Sequence, residues 1–242
     1  MKVERGVEMA NLRITALGLA AVKISDGETS IYVDAFFNEH TIVPFDYSDA
    51  TIIMVTHDHG DHFGAEATAL AAKKTGAVIV GPPSIAYPLL VQNGFPAEKL
   101  RILYHQDPNT PDEVRHGKVV IRSYSSRHFF DGDNLTIHNS YLIEIGGKGV
   151  FITGDSTALA EKEDRLKGLD ALIYNFVIFD KDLAKVSELE SVVNKFSPKL
   201  LLPVHIVDCS WTIRPEDLQY EVDSRNIEAV KVLMKSGSYI EI

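Results

Sequence analysis

The chain has 242 residues, of which 45% are hydrophobic, so it can bury a large core as one domain or as two fused halves. Its 34 acidic residues outnumber the 24 basic ones, and the net charge of −10 disfavours nucleic acid or an anionic membrane as the main partner. No apolar run approaches the roughly 20 residues of a membrane span, and the charged residues 1–9 do not resemble a signal peptide. The single cysteine, Cys209, excludes an intramolecular disulfide. Composition therefore predicts a cytoplasmic protein without a membrane span.

The first half of the chain alternates predicted strands and helices. Residues 1–10 are predicted to form a tail, and residues 11–242 one domain with halves at about 11–110 and 111–242. The Asp26-Gly27 pair predicts a hairpin turn between the second and third strands. This alternation favours an α/β fold in layers. Strands are predicted at residues 12–17, 19–24, 30–36, 50–55, 77–81 and 100–104, and helices at 63–74 and 84–92.

The second half begins after a seam at residues 107–111, which contain two prolines. A pair of glycines at 146 and 147 predicts a turn between two strands. Both halves open with strands and then alternate strand and helix, so two architecturally similar halves are expected. Strands are predicted at residues 118–124, 138–145, 149–153, 171–176, 200–204 and 239–242, and helices at 186–196 and 225–235.

The most informative stretch directly follows a predicted buried strand. Residues 56–62 read Thr-His-Asp-His-Gly-Asp-His and carry three imidazoles and two carboxylates. On an extended loop His57 and His59 leave on the same side, whereas a flexible glycine lets Asp61 and His62 diverge. Imidazole and carboxylate ligands suit zinc, iron or manganese. The spacing therefore predicts a metal site in which each pair of side chains can bind one metal.

Polar residues also follow predicted strands elsewhere in the chain. Alone, each has an ordinary structural interpretation, such as a turn or helix cap for Asp34. Together they repeat, in both halves, the placement of the cluster at residues 56–62. These further residues are Asp34, His128, Asp155 and His205.

In their order and placement, these residues resemble the metallo-β-lactamase-fold hydrolases. The resemblance extends over most of the chain, from about residue 12 onward, and the late Pro203-Val204-His205 contributes to it. The compact form is most similar to small bacterial and archaeal hydrolases related to the ascorbate-phosphate lactonases. One departure is the loop that begins at Asn175, where many of those relatives have a loop containing glycine. The motifs that carry the resemblance are Asp34, His57-x-His59-x-Asp61-His62, His128, Asp155 and His205.

The resemblance implies a four-layer αββα sandwich with two metal ions at one edge of its two sheets, zinc first and manganese or iron as alternatives. It also implies that Asp34 lies behind the ligands and holds the site loop. Asp58 is interpreted as a loop cap or as a supporting partner of a ligand imidazole. The implied ligands are His57, His59 and His128 for the first metal, Asp61, His62 and His205 for the second, and Asp155 as the bridge.

The implied activity is hydrolysis of a small ester, lactone or phosphodiester by a hydroxide that bridges the two metals. Asp61 and Asp155 are the catalytic candidates, because they fix the water and can accept a proton. Two alternatives stay open. A mononuclear iron dioxygenase of the same fold would use two histidines and one aspartate, so that Asp61, His62 and His205 would not all be ligands. A nucleic-acid-acting or non-catalytic member is disfavoured by the intact ligand set and the acidic charge.

Residues that contact the substrate are predicted from weaker signals. Arg127 suits a phosphate or carboxylate, or an ion pair with surface acids. His138 is interpreted as a core histidine or as a proton donor to a leaving group, and Trp211 as part of the pocket wall, the core or a dimer interface. The expected partner is a small molecule and not nucleic acid, and homo-oligomerisation stays open. Specificity is expected to lie in the loops at residues 129–134 and 175–185.

Overall fold

The computed structural model describes residues 11–35, 47–107, 110–129, 136–157, 166–177, 185–206 and 212–242. The described α-helices are α1 (Ala65–Thr75), α2 (Val186–Phe196) and α3 (Pro215–Ser224). The described strands are β1 (Arg13–Gly18), β2 (Ala21–Ser25), β3 (Ser30–Val33), β4 (Ile52–Met54), β5 (Val78–Gly81), β6 (Leu100–Ile102), β7 (Asp112–His116), β8 (Val119–Ser126), β9 (His138–Ile145), β10 (Lys148–Ile152), β11 (Ala171–Asn175), β12 (Leu201–Val204) and β13 (Tyr239–Glu241). The predicted tail, residues 1–10, lies outside the described residues.

The strands form two sheets with the same internal pattern. The first has the order β13-β1-β2-β3-β4-β5-β6 and the second β12-β11-β10-β9-β8-β7. In each sheet the early strands pair antiparallel, and the later ones, from β3 to β6 and from β10 to β12, pair parallel. The predicted similarity of the halves is therefore visible in the topology. The last strand, β13, returns to the first sheet and pairs with β1.

Alternating side chains divide the apolar residues among three core regions. Ile52 of β4 and Ile173 of β11 both lie in the central core between the two sheets. Ile53 points to the opposite face of the first sheet, where it packs with the alanines of α1. Leu172 likewise packs on the outer face of the second sheet with apolar residues of α2 and α3. Because side chains in a strand alternate between faces, this pattern gives the predicted four-layer αββα sandwich, which is confirmed.

Two predicted helices differ from the structure. Residues 84–92 form a 3₁₀ turn at Pro83–Ile85 and a π-helical turn at Pro88–Gln92, because Pro88 lacks an amide hydrogen and its ring clashes with a continuous α-helix. The predicted helix at residues 225–235 is wrong. Residues 225–229 form mainly turns, and Val230 then forms a parallel bridge to Leu201 of β12. The helix begins instead at Pro215, a residue favoured in the first helical turn.

The strand β7 was not expected from the sequence. Its five residues, Asp-Glu-Val-Arg-His, are mostly exposed and lack an apolar run. It lies at the edge of the second sheet, where charged residues are common because they discourage pairing with another chain. No helix in the described parts of the chain is long and apolar enough to cross a membrane.

The two sheets are hydrogen-bonded to each other where β4 ends. The Asn139 amide of β9 donates to the Thr56 carbonyl at 2.9 Å. Beside it, the Tyr141 hydroxyl donates to the Val55 carbonyl at 2.8 Å. All four residues are buried. These bonds hold the start of the 56–62 loop against the second sheet.

Candidate metal centre

All seven predicted metal ligands come together at one edge of the sandwich. Four of them follow β4, and the others follow β8, β10 and β12. Potential ligand atoms of three overlapping groups lie within 4.8 Å of one another in each group. The groups are His57, His59 and His128; His57, His62 and Asp155; and Asp61, His62 and His205.

Asp155 lies between the group that contains His59 and the group that contains Asp61. Its Oδ1 is 3.3 Å from Nε2 of His62 and 3.2 Å from Nε2 of His205, while its Oδ2 is 3.5 Å from Nε2 of His128. The carboxylate thus faces imidazoles from both predicted sets. Only 5% of the residue is exposed. This geometry is compatible with the bridging role that the resemblance implies.

Asp34 supports the cluster from behind and is almost fully buried. Its Oδ1 accepts the Thr56 amide and its Oδ2 the Thr56 hydroxyl, both at 2.7 Å. Because that hydroxyl proton is used, Thr56 Oγ1 accepts from Nδ1–H of His57, 2.9 Å away. Asp34 Oδ2 also accepts from Nδ1 of His62 at 2.9 Å. Both imidazoles are therefore held with Nε2 turned toward the cluster, and the bond to the Thr56 amide is compatible with the predicted role of Asp34 in holding the site loop.

The side chains of this cluster are suited to bind a metal ion. Nε2 of His57 is buried and has no hydrogen-bond partner among the described residues. A buried nitrogen lone pair without a partner is costly unless something binds it. With Nδ1 committed to Thr56, this lone pair is available as a ligand. The surrounding set of imidazoles and carboxylates is typical of zinc, iron or manganese sites.

Burial and neighbouring charges separate the pKa values within the cluster. Burial, followed by the effect of His62, lowers the pKa of His57 far below its ordinary value. Burial acts in the same direction on His62, but the carboxylates of Asp155 and Asp34 outweigh it and raise the pKa of His62 well above its ordinary value. Burial alone would raise the pKa of Asp155, but His205 and His62 hold it well below its ordinary range. His57 is therefore a neutral ligand without further change, whereas His62 must release a proton before it binds a metal.

Unusual backbone conformations occur where the strands deliver these side chains. Asp34 has φ of 49° and His205 φ of 68°, although neither is a glycine. The amide of His205 donates to the carbonyl of Leu19 at 3.0 Å, which ties the end of β12 to the first sheet. Left-handed conformations at non-glycine residues persist only where surrounding contacts enforce them, and they cluster at functional sites.

The two aspartates of the 56–62 loop differ in their exposure and contacts. The side chain of Asp61 is 40% exposed, and its Oδ2 lies 3.7 Å from Nε2 of His62. Asp58 is exposed, and no described residue forms a hydrogen bond or ion pair with it. The predicted contact between Asp58 and a ligand imidazole is therefore not found. The reason is the extended loop, in which His57 and His59 point inward and the residue between them points outward.

The three predicted substrate residues have different locations. Arg127 is exposed next to the buried His128, so its predicted contact with an anionic group stays a prediction. Trp211 lies outside the described residues. His138 is only 1% exposed, and both of its ring nitrogens are hydrogen-bonded within the protein. Burial lowers the pKa of His138 to about 3, so the imidazole is neutral. This packing does not support a proton donor to a leaving group, and it matches the alternative interpretation of a core histidine.

Two other residues of the site were not identified from the sequence. Thr56 opens the histidine cluster, but its role depends on the distant Asp34 and needs the tertiary fold. Asn175 is 1% exposed, and its side-chain oxygen and nitrogen both lack a hydrogen-bond partner among the described residues. Ala171 and Ile173 of the same strand face the central core, so alternation directs Asn175 into the layer between the sheets, where the strand ends. The only sequence signal for Asn175 was that the loop beginning there differs from the glycine-containing loop of the similar hydrolases.

Comparison with known proteins gives consistent results. Residues 29–206 match the family model described as a β-lactamase superfamily domain. A UPF0173 metal-dependent hydrolase from Pyrococcus furiosus is 28% identical over 250 residues, covering 96% of this chain and 100% of that protein. The metallo hydrolase Igni18 from Ignicoccus hospitalis superposes with a TM-score of 0.73 at 19% identity, covering 96% of this chain and 98% of the other. The diiron β-hydroxylase CmlA from Streptomyces venezuelae superposes with a TM-score of 0.63 at 12% identity, covering 96% and 54% of the two chains. Both superpositions show a shared fold.

Proposed function

The chain belongs to the β-lactamase superfamily domain family, and from this we propose that it is a metal-dependent hydrolase with two divalent ions that acts on a small ester, lactone or phosphodiester. The observation that carries the proposal is the pair of ligand groups, one with His59 and His128 and one with Asp61 and His205, between which Asp155 lies. Zinc is the first choice of metal, with manganese or iron as alternatives. The P. furiosus relative, named as a metal-dependent hydrolase, supports the reaction class.

Divalent ions held by these histidines and aspartates would lower the pKa of a bound water toward neutrality and would polarise the substrate oxygen under attack. The chain's own residues prepare this chemistry. Asp34 and Thr56 keep the tautomer of His57 that offers Nε2. Asp155 supplies negative charge inside a buried cluster of imidazoles, where it offsets the charge of the cations. Asp61 is the exposed carboxylate at the site and is suited to accept a proton during turnover.

The substrate is proposed to be a small molecule that enters from the exposed side of the site. Arg127 is available there for a phosphate or carboxylate group, because it is exposed beside His128. The amide of Asn175 is buried at the end of β11, where a bound water can satisfy it. Activity screens should therefore include lactones, thioesters and phosphodiesters, with and without an anionic group.

An iron oxygenase is the second candidate function. It is favoured by one observation, the shared fold with a protein described as a diiron β-hydroxylase. A mononuclear dioxygenase would need only two histidines and one aspartate. The convergence of Asp61, His62 and His205 supports a second metal position, which disfavours a mononuclear oxygenase. A diiron oxygenase would occupy both positions, and two irons per chain together with oxygen consumption would favour it over the hydrolase. Retention of RNA in a mobility-shift assay at physiological salt would instead favour a nucleic-acid-acting member.

Asp61→Ala is expected to lower turnover by roughly 10²-fold or more, to below the limit of measurement, while the protein stays folded. The side chain is 40% exposed, so its removal leaves the core intact, but it removes a ligand and the proton acceptor. The change is checked by turnover of the best substrate from the screen, with circular dichroism and metal content measured on the same sample. Asp58→Ala is the matched control, because it removes an exposed carboxylate of the same loop that touches no ligand. Full activity in Asp61→Ala would contradict the assigned role.

A further inference from the structure

We propose that His138 is a positioning residue, which fixes the backbone of Asp155 and thereby aims its carboxylate at both groups of metal ligands. The inference rests on the proposed metal site but concerns a residue outside the ligand set. His138 is the first residue of β9, and the antiparallel pairing of β9 with β10 places it beside the strand end that carries Asp155. Its ring lies 5.0 Å from that of His57, measured between centroids.

The direction of each hydrogen bond at His138 can be assigned. The Asp155 amide can only donate, so Nε2 of His138, 2.9 Å away, accepts. A neutral imidazole carries one N–H, which is therefore on Nδ1 and donates to Oγ of Ser126 at 2.7 Å. The Ser140 hydroxyl donates to the Thr153 carbonyl at 2.8 Å. The Ser126 hydroxyl must then donate to Oγ of Ser140, also at 2.8 Å. Every N–H and O–H group of this series is donated within the protein, so none of them is left to donate a proton to a substrate.

The chain of hydrogen bonds closes on itself. It starts at the amide of Asp155 and ends at the carbonyl of Thr153, two residues earlier in the same segment. Gly154, between them, has φ of 55° and packs against the imidazole so closely that a Cβ would lie 2.6 Å from Nε2 of His138. These hydrogen bonds and the close packing of Gly154 therefore fix the turn from which the Asp155 side chain leaves.

The carbonyl of Asp155 is held as well. It accepts the amide of Phe129, the residue after His128, at 2.9 Å. Both backbone groups of Asp155 are thus bonded to residues at the ends of β8 and β9. A backbone fixed on both sides leaves the carboxylate little freedom. That restriction is what a bridging ligand needs, because partners that orient ligands raise metal affinity.

The test compares His138→Leu with His138→Gln in the full chain. Leucine fills the space but cannot accept the Asp155 amide, whereas glutamine offers an oxygen near the position of Nε2. We expect His138→Leu to weaken Zn²⁺ affinity, measured by competition with a chelating dye, by roughly 10- to 100-fold. We expect His138→Gln to restore most of that affinity. The visible spectrum of the Co²⁺-loaded protein should change in the leucine variant and not in the glutamine variant.

Tyr174→Phe is the matched control for a lost buried hydrogen bond. Its hydroxyl donates to Glu188 at 2.5 Å on the helix side of the second sheet, away from the site. Its Zn²⁺ affinity should equal that of the unmodified protein. If His138→Leu does not fold, Ser126→Ala tests the same chain, because it removes the acceptor of Nδ1–H and should also weaken affinity.

The outcomes separate this inference from the proposed function. An unmodified protein that binds no metal would overturn the proposed function. An unmodified protein that binds two ions, together with a folded His138→Leu variant of equal affinity and unchanged Co²⁺ spectrum, would overturn only the positioning role.

Discussion

Asp155→Asn is expected to lower turnover by roughly 10²- to 10³-fold or more. Removing one electrostatic contact that stabilises a transition state typically costs this much. Asparagine keeps the shape of the side chain and the backbone amide bonded to His138, so the fold should persist. It removes the negative charge that lies within 3.2–3.5 Å of His62, His128 and His205. The variant should therefore hold fewer than two ions per chain. Turnover and metal content by mass spectrometry check both expectations.

The control for this substitution is Asp170→Asn. Asp170 is also a well-bonded aspartate, since it accepts the Gly149 amide at 2.8 Å and the Lys199 ammonium at 2.9 Å. It precedes β11, at the opposite end of that strand from the site. Its replacement should leave metal content and turnover unchanged. An Asp155→Asn variant with two bound ions and full activity would contradict the bridging role.

Gly154→Ala is expected to lower the free energy of unfolding by roughly 2–5 kcal/mol. Its φ of +55° is unfavourable for alanine, and the added methyl would lie 2.6 Å from Nε2 of His138 and 2.8 Å from Cβ of Thr56. Neither neighbour is free to move, because both are buried and hydrogen-bonded. The measurement is urea denaturation of the metal-free protein.

Gly94→Ala separates the two contributions. Gly94 has the same φ of +55°, but no atom lies within 4 Å of an added Cβ. This control should lose only the roughly 1–2 kcal/mol of the left-handed conformation. Equal destabilisation of the two variants would mean that the close packing of Gly154 on His138 and Thr56 does not constrain the site.

The fold was largely predictable because it depends on local patterns, whereas the assignment of the candidate ligands to two metals came from the resemblance to a known family. Short β-branched runs marked the strands, and polar residues such as Asp155 and His205 marked their ends. In α/β architectures the ends of neighbouring strands meet at one edge. The order of the motifs then related residues that are far apart in the sequence. The structure brings the predicted ligands together at that edge.

The supporting contacts were not predictable in the same way. The chain from Asp34 to Thr56 joins residues 22 positions apart, and no local pattern records that pairing. His138 was assigned a contact with substrate as one alternative, whereas its nitrogens are used by Ser126 and the Asp155 amide. The helix predicted at residues 225–235 failed for a related reason. Its apolar spacing suits a helix, but the chain forms turns there and pairs with β12 at Val230.

The most direct test of the central claim is the metal stoichiometry of the unmodified protein. The protein is stripped with a chelator, titrated with Zn²⁺, freed of unbound ions and measured by mass spectrometry. The two overlapping ligand groups joined by Asp155 predict two divalent ions per chain, with turnover appearing as both are bound. A single ion or no ion retained per chain after the Zn²⁺ titration, or a single iron per chain in the protein before stripping, would contradict the binuclear hydrolase.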